Sequence, residues 1–249
     1  MTAYGDDEYS SRQIRLAFLD WKVWLYMMIQ FCGLTPVFCI SSFLPSIIKG
    51  MGFENVMAQL LTVPPYLVAS IIQVFSSWLT GRLKERSNHL LVFLLIGITG
   101  FLYLILSKKV LYVGAFMACT GVFSSNALIL PWATSNIGGK TKRAVAIALI
   151  AASGGIGGVV SGQIYRDANA PYYHQGHAIM LGIMSCNFIL VLLLKLLLKH
   201  ENRRRENLSP EERQAEIVGD GINPSFDKVK FADITAFLCQ KVFYIVLPL

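Results

Sequence analysis

AIMLGIMSCNFILVLLLKLLL, residues 178–198, followed at 199–205 by KHENRRR, is the stretch that decides the fold. It holds a single charge, Lys195. Crossing about 30 Å of hydrocarbon takes about 20 predominantly apolar residues, and a spanning backbone must satisfy its own hydrogen bonds as a helix. The run meets both demands. The Lys195 ammonium lies near enough to the end of the run to snorkel into the headgroups. The basic cluster behind it reads as the exit into the anionic cytosolic leaflet.

Working outward, five more runs of this kind occur at 24–44, 56–79, 90–106, 110–137 and 144–165. Hydrophobic residues make up 54% of the chain and charged ones 15%, with mean hydropathy +0.53. Soluble domains carry about 25% charge. The expected fold is therefore all-α: a polytopic membrane protein with a cytosolic N-terminal segment (1–22), a six-transmembrane-helix bundle (23–198) and a cytosolic C-terminal tail (199–249). The first 22 residues mix Asp6, Asp7 and Glu8 with Arg12 and Arg15 and contain no apolar core, so no cleavable signal peptide is expected there.

The formal net charge of +7 could suggest nucleic acid, but the charges fall between the apolar runs. Basic loops orient a membrane protein, and no nucleic-acid partner is expected. Nine Lys and Arg flank one side of the runs (Arg12, Arg15, Lys22, Arg82, Lys84, Arg86, Lys140, Lys142, Arg143) and four the other (Lys49, Lys108, Lys109, Arg166). The excess places both termini in the cytosol. Five cysteines, an odd number, show no CxxC or His/Cys ligand spacing, so neither disulfide, metal nor cofactor is expected.

Several spans carry irregularities. Pro36, Pro64, Pro65 and Pro131 remove backbone donors and bend helices; broken helices line transport cavities, although proline is also simply commoner in membrane helices. Gly154, Gly158 and Gly162 recur every four residues and form a face bare of side chains, against which another helix packs closely. Polar groups inside the spans are neutral, and no Asp, Glu or His is read at depth, so no proton carrier is legible. After the bundle, SPEE at 209–212 spells a capping box for a short helix to about Ile217. The apolar segment 234–249 is too short to span and is expected to lie on the membrane. The sequon at Asn207 falls in the cytosol and is discounted.

Two stretches are more specific. FLPSIIKGMGF at 43–53 continues into QLLTVPPY at 59–66. A second extends from Trp132 through Asn136, Gly139, Thr141, Lys142, Arg143 and the glycine-rich run to Gln163, Ile164 and Tyr165. On these residues the chain resembles the fungal allantoate permease family, the anion:cation symporter branch of the major facilitator superfamily. The resemblance covers about 20–201 and aligns with that family's C-terminal half, helices seven to twelve. GRLKER at 81–86 occupies the place of the superfamily's SDRxxxR motif with glycine for aspartate, leaving Arg82 and Arg86, with Lys142 and Arg143, as the loop motif residues.

The resemblance implies secondary active transport of a small organic anion, allantoate-like or a vitamin carboxylate, with protons as coupling ion and a plasma-membrane location. It implies a second transporter half or dimer partner for the glycine face. Gln30 and Thr35 beside Pro36, Tyr66 beside the double proline, and Asn126 are the candidate substrate-binding residues, each able to hydrogen-bond a carboxylate and each equally able to bond a neighbouring helix. Enzyme chemistry is not expected, because paired acids, histidines or a nucleophile are not read within the spans. The rival expectation is a non-transporting fragment or interaction protein that pairs with a full-length transporter.

Overall fold

The computed structural model describes residues 11–53, 55–83, 85–106, 111–165, 173–207 and 209. Apart from Ser209, the short helix read to about Ile217 and the membrane-lying segment at 234–249 fall outside the described residues, as does most of the tail. The described residues form helices α1 (Ser11–Leu19), α2 (Trp21–Gly50), α3 (Asn55–Leu60), α4 (Val63–Leu83), α5 (Arg86–Leu106), α6 (Leu111–Asn136), α7 (Lys140–Ser161) and α8 (His174–Glu206), with no strand among them. Six helical segments are long and apolar enough to cross a membrane, the second running through α3 and α4.

Helices α2 and α6 form the centre. α2 packs on α7, α6 and α8; α6 packs on α5 and α4; α5 closes against α8. Accordingly α6 is the most buried span and the α3–α4 segment the least. α4 leaves Leu67, Ile71, Val74, Phe75 and Trp78 exposed, the apolar surface a lipid-facing helix requires.

The tightest seam joins α5 to α6. A Cβ on Gly121 would fall onto the Gly97 backbone, and one on Gly100 onto the Ala118 backbone. Small residues let these helices touch backbone to backbone, which is how van der Waals contact holds membrane helices together when lipid removes the hydrophobic drive.

The prolines fall into two groups. Pro36, Pro45 and Pro131 lie inside helices, whereas Pro64 and Pro65 occupy the first turn of α4, where a missing N–H costs nothing; the interruption in the second span is the turn at Leu61 and Thr62. The glycine face also needs correction. Gly154, Gly157 and Gly158 pack on the chain's own α2: the nearest atoms to their missing Cβ positions belong to Leu34, Gln30, Thr35, Phe31 and Phe38. These positions are therefore covered from within the bundle and not by a separate half or dimer partner. Gly162 is the C-cap of α7, and among the described residues no other helix comes within 4 Å of its missing Cβ. The helix has ended there, so the four-residue repeat no longer points at α2.

Candidate functional site

Pro36 has no N–H to give the Cys32 carbonyl one turn before it, which opens the hydrogen-bond ladder of α2 at mid-helix. Beside that opening the structure brings together two of the four expected residues. Gln30 Nε2 donates to Asn126 Oδ1 at 3.3 Å, joining α2 to α6. Gln30 is buried and Asn126 half-buried. Two carboxamides so placed offer N–H donors and C=O acceptors without a charge.

The other two residues are turned elsewhere. Thr35 is fully buried against Gly157 and its hydroxyl donates to Phe31 O at 2.7 Å. The Tyr66 hydroxyl donates to Ile40 O at 3.2 Å, tying α4 to α2, while its ring meets Phe123 edge-on.

Asn187, one of the neutral polar residues of the sixth span and not one of the four candidate binding residues, joins this region. Asn187 on α8 is fully buried, and its amide nitrogen stands 3.4 Å from the place where a Cβ on Gly33 would be. Asn126 Oδ1 reaches the same point at 3.6 Å. Among the described residues, Gln30 Oε1 and both polar atoms of Asn187 find no hydrogen-bond partner. The run around Asn187 is so apolar that membrane insertion alone accounts for it, and only helix packing shows which of its polar residues point inward.

The four basic residues of the loop motif lie at one end of the bundle, each with a different partner. Lys142 Nζ pairs with Asp20 Oδ2 at 2.8 Å, both side chains largely shielded from solvent. The other oxygen of Asp20 accepts Lys22 N–H at 3.0 Å as the N-cap of α2. Arg143 Nε donates to Ile137 O at 2.8 Å, Arg86 donates to Pro131 O, and Arg82 lies over the Trp78 ring at 4.5 Å.

At the opposite end a histidine is buried at the edge of a span, a placement that hydropathy alone does not show. His177, in the first turn of α8, is buried, and its Nδ1 shares a proton with the Tyr165 hydroxyl at 2.9 Å. Phe43 stacks on Tyr165 at 4.9 Å between ring centroids. α8 begins four residues before the run that hydropathy defines, so His177 lay just outside the expected span.

Comparison of the sequence with known proteins gives the family. The model of the Major Facilitator Superfamily matches residues 5–162. The chain belongs to that superfamily. As a member, with six membrane-length helices, it is an integral multi-pass membrane protein. It is 30% identical over 220 residues to an uncharacterized transporter of Schizosaccharomyces pombe, covering 87% of this chain and 44% of that protein. It is 31% identical over 203 residues to the high-affinity nicotinic acid transporter of Saccharomyces cerevisiae, covering 81% of this chain and 38% of that protein. An MFS transporter of a fungal species, prlL, is 32% identical over 196 residues, covering 76% and 39%. The chain thus spans less than half the length of these curated relatives.

Proposed function

We propose that this chain is the C-terminal half, helices seven to twelve, of a secondary active transporter of the allantoate permease branch, moving a small organic anion with protons as coupling ion. The carrying observation is the Gln30–Asn126 carboxamide pair, shared by the two central helices beside the Pro36 opening. On release of that bond the amide N–H groups are free to donate to a carboxylate, and hydrogen bonds to an ionised acceptor are the stronger kind. Thr35 and Tyr66 complete the proposed binding set as hydroxyls now held by backbone carbonyls. The relative named for nicotinic acid, itself a vitamin carboxylate, supports this substrate class. In this reading a second six-helix half supplies the opposite wall, with substrate held between halves near the bilayer midplane.

The proposed organisation keeps a cytosolic segment at 1–22, the bundle at 23–198 and a cytosolic tail at 199–249, with both termini inside and the chain in the plasma membrane. The loop residues Arg82, Arg86, Lys142 and Arg143 then clasp the cytosolic end. A second reading, an interaction protein that pairs with a full-length transporter, draws on the coverage of 44% and 38% of the relatives' lengths.

Uptake of labelled nicotinate and allantoate into yeast lacking its own carriers separates the two. Transport by the chain, alone or with a co-expressed N-terminal six-helix half, is expected, with Gln30→Leu and Asn126→Leu raising KM. No uptake in either arrangement, with the chain shown at the membrane, sinks the transport reading.

A further inference from the structure

Asn187 sits fully buried within the bundle with its amide nitrogen and oxygen both unpartnered among the described residues, and Gln30 Oε1, also buried, is unpartnered among them too. Gln30 and Gly33 lie one turn apart on α2, Asn187 reaches Gly33 from α8, and Asn126 reaches it from α6. Three helices therefore bring carboxamides to one turn of α2, yet the only hydrogen bond made is Gln30 to Asn126 among these three. Leaving such groups unmade is costly, because each has given up its hydrogen bonds to water.

The unmet set has a definite chemistry: two acceptors, Gln30 Oε1 and Asn187 Oδ1, and one donor, Asn187 Nδ2. A carboxylate accepts only, and would face two acceptors. A metal ion would find neutral amides, and no group of three His, Cys, Asp or Glu stands among the described residues. Water both donates and accepts, and a buried water makes about three such bonds.

We propose that Gln30 and Asn187 hold an ordered water between their unpartnered amide atoms, bridging α2 to α8 on the side of Gly33 that Ile129 does not fill. The water fixes the Gln30 side chain with its oxygen toward α8 and its nitrogen toward Asn126. Asn187 thereby becomes a positioning residue for the carboxamide pair, a step that rests on the transport reading above.

The water itself is tested on the full chain in nanodiscs, without transport. A map that resolves ordered solvent is expected to show a peak within hydrogen-bonding distance of Gln30 Oε1 and an Asn187 amide atom. Other buried waters visible and none there overturns the proposal. Thermal unfolding adds a rank order. Asn187→Leu fills the site with carbon and strands Gln30 Oε1, whereas Asn187→Ser keeps a hydroxyl and leaves room for a second water. Leu is expected to melt below wild type by about 2–4 °C or more and below Ser; in a dry site the order reverses, and that order overturns the proposal. For positioning, Asn187→Leu is expected to raise the transport KM several-fold while Asn187→Ser stays within about twofold; equal KM values discard the positioning role. A chain that transports nothing defeats the transport reading and leaves the map and the melting order to decide the water.

Discussion

Lys142 shows how much one residue's role depends on its neighbour. Its ammonium and the Asp20 carboxylate are both largely removed from solvent at 2.8 Å, while Asp20 also caps α2. A shielded pair stabilises modestly as a pair, but removing one member strands the other charge. Lys142→Met is therefore expected to lower stability by about 3 kcal/mol, and adding Asp20→Asn to recover most of that loss; thermal unfolding in micelles measures both. At the other end, Tyr165→Phe leaves His177 Nδ1 without its buried partner, with an expected cost of about 1–3 kcal/mol. His177→Phe on top of it is expected to add little, since the two share one bond, and a double-mutant cycle reads the coupling. Both pairs were opaque in the sequence: Asp20 and Lys142 meet only because α7 folds back beside α2, and Tyr165 and His177 because the chain just past the end of α7 lies against the first turn of α8.

Among elements, glycine means different things on different faces. Gly121 on α6 touches the Gly97 backbone of α5, so Gly121→Ala must push two helices apart, at an expected cost of about 1–3 kcal/mol. Gly155 on α7 has nothing within 4 Å of its missing Cβ, and Gly155→Ala is expected to stabilise by about 0.5–1 kcal/mol through helix propensity alone. Melting temperatures moving in opposite directions check the contrast. The repeat Gly154, Gly158, Gly162 was legible as a packing surface by spacing, yet spacing did not say which helix packs there. Gly157, off that repeat, meets the Phe31 carbonyl and Thr35, and Gly162 meets no other helix. The seam through Gly97, Gly100 and Gly121 is not legible in the sequence, because its glycines sit on two runs and are close only in space.

For the whole molecule, loop charge argues an orientation that accessibility can check. If both termini face the cytosol, a cysteine placed at Lys49 reacts with an impermeant maleimide on intact cells, and one placed at Arg82 does so only after permeabilisation. The reverse pattern overturns the orientation. Length, hydropathy and loop charge specified six helices because lipid enforces that rule locally, on each run of about 20 residues, whatever its neighbours do. Membership of the superfamily follows from the same local patterns, and so does the expectation that Gln30 and Asn126 matter, since polar residues among apolar ones are visible in a string. What only the tertiary structure decided is which of those residues meet. Gln30 joins Asn126, Thr35 turns to α7, Tyr66 holds α4 to α2, Asn187 comes to Gly33 from α8, and His177 is buried although it precedes its span. Insertion into a bilayer responds to average hydropathy along one helix. Partnership responds to azimuth and register between helices, and in a membrane close packing and hydrogen bonding set those.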